Sequence, residues 1–294
     1  MKKNEEHKPS VNTTISGSTR LVALLGDPVQ HSISPAMHNK AFQVLGLNYA
    51  YMAFTANEYN LQSIVEAMKT LNVLGFNVTM PIKQRILPYL DQLSFEAEMI
   101  GSVNTVKNEN GKLIGYNTDG LGYIKDLREK GLAIKEQSFL LVGAGGAATS
   151  IAVELARAGA GKITVFNRSI EKADYIISLV KKIENHCEVF ALKFEDKILT
   201  QELKKADVLI NCTPLGMGSQ EGISIIKDPM IMHKDLIISD LIYVPEKTAL
   251  IKQGEQRGCK TINGSGMILW QGALAFEIWT GREMPIQTIK QRLF

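Results

Sequence analysis

The feature that most limits what this chain can fold into lies just before its midpoint. The apolar run Phe139–Val142 passes directly into Gly143-Ala144-Gly145-Gly146-Ala147-Ala148, and an alanine-rich helical pattern then continues through Ala158. This is G-x-G-x-x-A, placed straight after a strand and opening a helix. The glycines permit a tight turn and let the backbone approach a pyrophosphate closely, while the helix N-terminus presents unpaired N–H groups and the positive end of its dipole. Gly143, Gly145, Gly146 and Ala147 are therefore candidates to hold a dinucleotide; a plain tight turn between strand and helix is the competing reading.

The surrounding pattern supports an α/β fold. Strands at Lys162–Phe166, Glu188–Leu192, Val208–Asn211 and Leu236–Ser239 follow the glycine turn, with a helix over Ile170–Ile183. Strands that alternate with helices of this length imply βαβ units and a doubly wound parallel sheet. The first half alternates in the same way. A strand at Leu21–Leu25 leads to Ser34-Pro35, which reads as an N-cap followed by proline at the first helical position. Met37, Ala41, Val44 and Leu45 then mark a helix face. A strand over Tyr49–Thr55 is followed by a helix face at Leu61, Ile64, Val65, Met68 and Leu71, a strand at Leu74–Val78 and a helix opening around Pro81. Val103–Tyr116 reads as a hairpin turning at Asn110-Gly111. At 294 residues the chain suits two domains, with a boundary near residue 120 and the last helices separate from the second sheet. The polar residues 1–20 lack an apolar core segment, so they read as a disordered lead-in and not as a signal peptide.

Composition narrows the class of partner. Lys and Arg number 33 against 30 Asp and Glu, a net +3 that argues against a dedicated nucleic-acid binder. No apolar run reaches the roughly 18 residues that a membrane span needs. Cys187, Cys212 and Cys259 are far apart and form no CxxC pair, and no His/Cys cluster has metal-ligand spacing. They read as reduced thiols of a cytoplasmic protein, with no metal site expected.

The end of the strand after the glycine turn bears on which nucleotide would bind. An NAD-specific fold places an acidic residue there for a ribose hydroxyl. Here the chain reads Asn167-Arg168-Ser169, with Lys172 close behind. A guanidinium fork, a hydroxyl and a second cation suit a ribose 2′-phosphate, so NADP is expected, with NAD as the alternative because Glu171 is nearby. Helix capping by Asn167 or Ser169 beside solvated Arg and Lys is the plainer reading.

Four polar features elsewhere carry candidate chemistry. Ser32 and Ser34 lie two apart, and in extended chain both hydroxyls would face one way and grip a carboxylate; capping by Ser34 is the alternative. Lys83, in Asn77-Val78-Thr79-Met80-Pro81-Ile82-Lys83, falls in the first turn of the expected helix, where the dipole disfavours a cation. Such a placement suits proton transfer, or else a solvated surface lysine. Asp119 precedes an apolar helix, so N-capping accounts for it as well as a pairing with Lys83 does. Gln271 shares a helix face with Met267, Leu274, Ala275 and Ile278, and an amide on such a stripe needs partners that a ligand would supply.

Taken together, the segments resemble the shikimate dehydrogenase family, including its quinate/shikimate branch, from about Leu21 to the C-terminus. The residues that carry the likeness are Gly26-Asp27-Pro28-Val29 into His31-Ser32-Ile33-Ser34-Pro35, Asn77 to Lys83, Gly101-Ser102-Val103-Asn104-Thr105, Tyr116 to Gly120, the glycine turn, Asn167-Arg168-Ser169, Asn211 to Met217, and Gly266-Met267 with Gln271. The resemblance implies a substrate domain of residues 21–119 with 263–294 and a Rossmann-like NAD(P) domain of residues 120–262, the C-terminal helices folding back on the first domain. It implies reversible reduction of 3-dehydroshikimate to shikimate in chorismate and aromatic amino acid biosynthesis, by a monomer or homodimer. Lys83 and Asp119 would be the catalytic pair. Ser32 and Ser34 would hold the substrate carboxylate, and Asn77, Thr79, Asn104, Tyr243 and Gln271 would complete the substrate shell. Thr213, Gly264 and Met267 would join the glycine turn and Asn167, Arg168, Ser169 and Lys172 at the cofactor. Asn77-Val78-Thr79 resembles the shikimate-specific form, whereas Leu269 to Ala273 and Ile278 to Gly281 resemble the quinate/shikimate branch, whose members can use NAD. A shikimate-type ligand sensor without activity is the reading from another class; the intact Lys83 and Asp119 stand against it.

Overall fold

The computed structural model describes residues 15–183 and 186–293. By packing, the chain divides into two compact units. The first comprises Met1–Gln92, Thr105–Gly115 and Ala275–Phe294, and the second Leu93–Asn104 and Tyr116–Leu274. This division does not coincide with the expected one at residues 120 and 263. The segment Leu93–Asn104 and the start of the last long helix count with the second unit.

In chain order the elements begin with β1 (Arg20–Gly26), α1 (Ser34–Leu45), β2 (Tyr49–Thr55), α2 (Leu61–Thr70) and β3 (Gly75–Val78). Next come β4 (Gln92–Leu93), α3 (Phe95–Ile100), the hairpin of β5 (Thr105–Glu109) and β6 (Lys112–Tyr116), and α4 (Asp119–Glu129). The nucleotide-fold segment contains β7 (Ser138–Val142), α5 (Gly146–Arg157), β8 (Lys162–Asn167), α6 (Ile170–Val180), β9 (Glu188–Lys193) and α7 (Asp196–Leu203). It continues through β10 (Val208–Asn211), β11 (Ile237–Asp240), α8 (Ala249–Gln256) and β12 (Lys260–Ile262). Helices α9 (Ser265–Thr280) and α10 (Ile286–Leu293) close the chain.

The first sheet runs β2-β1-β3-β5-β6-β4. β1 pairs in parallel with β2 and β3, and β3 pairs antiparallel with β5. The β5–β6 turn uses Asn110 at φ 54° and Gly111 at φ 90°, the positive values a tight hairpin turn demands. The second sheet runs β12-β11-β10-β7-β8-β9, with every described pairing parallel. Counted from β7, this is the order 3-2-1-4-5-6 of a Rossmann-like doubly wound sheet, so the α/β architecture expected from the alternation is present. β7, β8, β10 and β11 are buried on both faces, which is why they read as continuous apolar runs, whereas the edge strands β9 and β12 are not. Ala275–Phe294 packs with the first unit, where Trp279 and Phe276 meet the His38 ring. No helix among the described residues is long and apolar enough to cross a membrane.

Several local expectations need correction. Of the polar lead-in, residues 1–14 lie outside the described residues, but Ser16–Thr19 forms a turn whose Thr19 hydroxyl donates to Asn48 Oδ1 at 2.7 Å, and Arg20 already belongs to β1. Ser34 is not the cap of α1. The helix starts at Ser34 itself, Ile33 takes the cap position, and no side chain caps it. The buried face of α1 is Met37, His38, Ala41 and Phe42, and Val44 is exposed, because the stripe turns to bring His38 and Phe42 onto the aromatic rings of β2 and α9. Leu71 is exposed beyond the end of α2. No helix opens at Pro81. The Met80–Pro81 bond is cis, and the chain turns there, Ile82 N–H donating to Thr79 O at 3.1 Å before a short 3₁₀ turn at Leu87–Tyr89. Asp119 is the first residue of α4 and not its cap; Thr118 takes that position.

Candidate functional site

In the first unit the candidate polar residues cluster at the C-terminal ends of parallel strands, where open α/β sheets hold their ligands. Thr79 follows β3, and its N–H donates to Leu25 O at 2.8 Å. Gly26, the last residue of β1, has no room for a side chain: a Cβ there would collide with Thr79 Cγ2. Ile33 is helical in its backbone (φ −77°, ψ −15°), so the strand alternation invoked for Ser32 and Ser34 does not apply. Instead the Ser32 hydroxyl oxygen accepts the Ser34 N–H at 3.2 Å, and both serines are half-buried. Lys83 is half-buried in the turn after Thr79. With no helix there, the dipole argument for its role loses its premise.

Asn77 sits on β3, almost fully buried. Its Oδ1 accepts the Tyr51 hydroxyl at 2.7 Å, and its Nδ2 donates to Thr105 Oγ1 at 3.0 Å across the β3–β5 pair. Tyr51 was not signalled by the sequence, and Thr105 only as a member of the segment that carries Asn104. Tyr51 had the one available cue, a phenol on a strand whose neighbours are apolar.

In the second unit four residues from three segments come together. Asn104 follows α3, Thr118 and Asp119 open α4, and Gln271 lies on α9. Asn104 Nδ2 lies 2.8 Å from Asp119 Oδ1, 2.9 Å from Thr118 Oγ1 and 3.4 Å from Gln271 Oε1. Its Oδ1 accepts the Thr118 N–H at 2.9 Å, and the Thr118 hydroxyl reaches Gln271 O at 3.1 Å. Asn117 braces the group, accepting the Asp119 N–H at 3.2 Å and donating to Ser102 O at 2.9 Å. Asn104, Thr118 and Asp119 are buried. The buried Asp119 carboxylate accepts from the Asn104 amide, which offsets part of the cost of taking it out of water. α4 and α9 approach closely at Gly122, where a Cβ would stand 2.6 Å from Gln271 N. Gln271 thus finds a protein partner for its amide. Asn117 and Thr118 lie in the motif that was read for Asp119 alone.

The glycine turn is built for close approach. Gly143 has φ 108° and donates to Phe166 O at 2.8 Å. A Cβ at Gly143 would come to 3.0 Å from Cys212 C and O and from Thr213 Cγ2. Gly145 caps α5, and Gly146 and Ala147 open it. Gly145 and Gly146 are exposed, and a Cβ on Gly145 would meet nothing within 4 Å. The first turn of α5 holds no acidic side chain. An exposed, glycine-lined N-terminus on a 12-residue helix fits a pyrophosphate.

Thr213 is fixed by its hydroxyl to Asn211 Oδ1 at 2.7 Å, and buried Asn211 is held by Asp240 Oδ1 at 3.0 Å. Burial raises the Asp240 carboxyl above its ordinary pKa, against the pull of its Thr248, Ile242 and Asn211 donors. Gly264 packs where any Cβ would collide with Leu241 O, and Met267 lies in the core of the unit. Tyr243 is half-buried between β11 and α8, and burial raises its phenol pKa. At the end of β8, Asn167 Nδ2 donates to Ser169 O at 2.8 Å, and the Ser169 hydroxyl donates to Glu171 Oε2 at 2.6 Å. That bond, the largest cause, holds the Glu171 carboxyl below its ordinary pKa. Arg168 and Lys172 are exposed. The residues fit a 2′-phosphate if Glu171 yields the Ser169 hydroxyl.

Comparison with known proteins gives a consistent picture. The family model described as the shikimate dehydrogenase substrate binding domain matches residues 24–106. The model described as shikimate/quinate 5-dehydrogenase matches residues 126–227, and that of the shikimate 5′-dehydrogenase C-terminal domain matches residues 264–294. The chain is 56% identical to the shikimate dehydrogenase (NADP(+)) of Alkaliphilus metalliredigens over 277 residues, 94% of this chain and 97% of that one. It is similar to a solved shikimate 5-dehydrogenase from Listeria monocytogenes in complex with shikimate and NAD, with TM-score 0.89 and 41% identity, covering 95% of this chain and 98% of that one. A solved shikimate dehydrogenase in complex with NADP+ has TM-score 0.87 and 40% identity, with 95% and 96% of the two chains covered.

Proposed function

The chain belongs to the shikimate dehydrogenase family, and from that premise we propose that it catalyses the reversible NADP-dependent reduction of 3-dehydroshikimate to shikimate. The observation that carries this reading is the Asn104–Thr118–Asp119–Gln271 cluster, a buried carboxylate that accepts from the Asn104 amide, which is itself set against a hydroxyl and a second amide. Such a set suits a substrate of several hydroxyls around one reacting carbon. Residues 21–119 with 263–294 are assigned to the substrate and 120–262 to the cofactor. We place the protein in the cytoplasm as a monomer or homodimer.

The bound nicotinamide supplies or accepts the hydride. Lys83 and Asp119 exchange the proton at the reacting oxygen and act as one unit. Ser32 and Ser34 donate to the substrate carboxylate. Asn77, Thr79, Asn104, Tyr243 and Gln271 bind and orient the ring hydroxyls. Gly143, Gly145, Gly146 and Ala147 hold the pyrophosphate, Asn167, Arg168, Ser169 and Lys172 the 2′-phosphate, and Thr213, Gly264 and Met267 border the rest of the cofactor.

Initial rates with shikimate or quinate, each with NADP or NAD, test the reading. Shikimate with NADP is expected to exceed every other pair in kcat/KM by about tenfold or more. Equal rates with quinate or NAD would move the enzyme to dual specificity. Shikimate binding without turnover by any pair would leave the sensor.

A further inference from the structure

We propose that Asp240 is a positioning residue for cofactor and substrate, its buried carboxylate setting the loop after β10 against the loop after β11. The inference rests on the shikimate dehydrogenase reading of Thr213, Tyr243 and Gly264, and adds a residue that touches neither ligand itself. The two loops leave the C-terminal ends of neighbouring parallel strands, beside the point between β7 and β10 where the strand order reverses and such sheets bind their ligands. The first loop carries Thr213 and the second Tyr243. Asn211 and Asp240 are the last residues of β10 and β11 and stand in register. Side chains in register on parallel neighbours point to the same face, so the amide and the carboxylate lie side by side. Both are fully buried.

Three donors converge on this carboxylate. Oδ1 accepts from Asn211 Nδ2 at 3.0 Å and from the Ile242 N–H at 3.1 Å, and Oδ2 accepts the Thr248 hydroxyl at 2.7 Å. The Thr248 oxygen in turn accepts the Ile251 N–H at 3.3 Å as the cap of α8. A carboxylate only accepts, so it dictates which end of the Asn211 amide faces it. The Asn211 oxygen is thereby turned to the β10 loop, where it accepts the Thr213 N–H at 3.0 Å and the Thr213 hydroxyl at 2.7 Å. A flipped amide would set oxygen against carboxylate and NH₂ against the Thr213 N–H. Asn211 Nδ2 also donates to Leu215 O at 3.1 Å, and the Leu215 N–H donates to Thr213 Oγ1 at 3.2 Å, so the whole turn hangs from Asn211. On the other side, the hold on the Ile242 N–H fixes the residue before Tyr243, and Ile242 O accepts the Gly264 N–H at 3.0 Å. The loops also touch, since a Cβ on Gly216 would stand 3.3 Å from Ile242 Cδ1 and Thr248 Cβ. Burying a carboxylate is costly, and an apolar side chain would fill the same space; what the carboxylate adds is a fixed direction for three donors.

Asp240→Ala removes the three bonds at once. The Michaelis constants for NADP and for shikimate are both expected to rise about three- to tenfold, with kcat moving less than about threefold, the pattern of lost ground-state binding. Asp240→Asn keeps an oxygen that can face Asn211 and Ile242 and turns its NH₂ to the Thr248 oxygen, so it should hold both constants within about twofold of the unaltered protein. Loss of folded protein lowers the active concentration and not the Michaelis constants. A lowered melting midpoint with both constants unchanged in Asp240→Ala would therefore reduce Asp240 to a strut and overturn the proposal. An Asp240→Asn protein as impaired as Asp240→Ala would overturn it too, since the loss would follow the charge and not the hydrogen bonds. If Asp240→Ala does not fold, Asp240→Ser, which keeps one acceptor, carries the test: constants above those of Asp240→Asn support the proposal, and equal ones overturn it. Combined with either variant, Thr213→Val should add less to the NADP constant than it does alone, because both act on one turn; fully multiplicative effects would speak against that route and overturn the proposal. If Thr213→Val and Tyr243→Phe by themselves leave both constants unchanged, the ligand reading of those residues falls and takes the proposal with it, a result distinct from failure at Asp240 alone.

Discussion

The first unit holds Asn77, which we assign to substrate, in a buried chain of hydrogen bonds from Tyr51 to Asn77 to Thr105, backed by stacked rings. The second unit presents the residues we assign to the nucleotide bare: exposed Gly145 and Gly146, then exposed Arg168 and Lys172. The contrast follows from what each must bind. A small polyol is told from its analogues by hydrogen bonds of fixed direction, which require groups that do not move. A pyrophosphate is held by backbone N–H groups and a dipole, for which the requirement is the absence of side chains. The first arrangement is vulnerable to anything that charges or loosens its support. The second is vulnerable to anything that fills it.

The largest expected effect strikes the support of the first arrangement. His38 has a folded pKa lowered to about 3 from 6.5 by burial. A histidine that binds fewer protons folded than unfolded contributes stability that is intact above about pH 6.5 and is lost as pH falls toward 3. At pH 4.5 the loss amounts to roughly 2–3 kcal/mol. Urea midpoints at pH 7.5 and 4.5 for the protein and for His38→Phe check this. The variant is expected to lose less stability on acidification, and parallel curves would show that His38 carries no charge penalty.

Next in size is Lys83→Ala. Loss of a general acid–base group is expected to lower kcat by about a hundredfold or more, with the constant for shikimate moving far less. More than a tenth of the activity retained would remove Lys83 from the proton exchange. This test matters because the geometric argument for Lys83 failed: the expected helix at Pro81 is a turn.

That failure shows what was legible. Strands were read almost to the residue, as with Tyr49–Thr55 in the first sheet and the fully buried Val208–Asn211 in the second, because their apolar continuity survives context. The hairpin was read from Asn110-Gly111, since few residues tolerate those backbone angles. The helices α3, α7 and α8 and the strand β12 went unread; each is eight residues or shorter, and α7 buries only Leu199 and Leu203. Among candidate site residues, single motif members were visible while their braces were not. Asp119 stood out, but Thr118 and Asn117 looked like loop residues. Tyr51 looked like strand filling. The identity of a hydrogen-bond partner distant in sequence is a property of the fold, and no spacing rule encodes it.

A smaller effect probes the openness of the second arrangement. Gly145 has φ −92°, which any residue adopts, and space for a Cβ, so Gly145→Val should leave the melting midpoint within a degree or two. The constant for NADP should rise about tenfold, because a branched side chain would stand where the pyrophosphate approaches. Arg168→Ala should lower kcat/KM for NADP about tenfold and leave NAD unchanged, through loss of a charge-assisted phosphate contact. An equal fall with both cofactors would locate Arg168 away from the 2′-phosphate.

The smallest effect is expected at Glu171, where the comparison is sharpest. Its carboxylate takes the Ser169 hydroxyl at 2.6 Å and stands two residues from that serine, among the cations Arg168 and Lys172. It is the one acidic side chain at the start of α6, in the region where an NAD-specific fold carries its ribose ligand. A 2′-phosphate must draw the hydroxyl away from it and bear its repulsion, whereas a ribose hydroxyl could donate to it. Glu171→Gln removes the charge and keeps the shape. The ratio of kcat/KM for NADP over NAD is expected to rise about threefold, a size fitting one exposed, water-screened charge. The rise should shrink in high salt, as exposed electrostatics do. A ratio that falls instead would mean that Glu171 orients Ser169 toward the phosphate and that the exposed end of β8 is as pre-arranged as the buried phenol of the first unit.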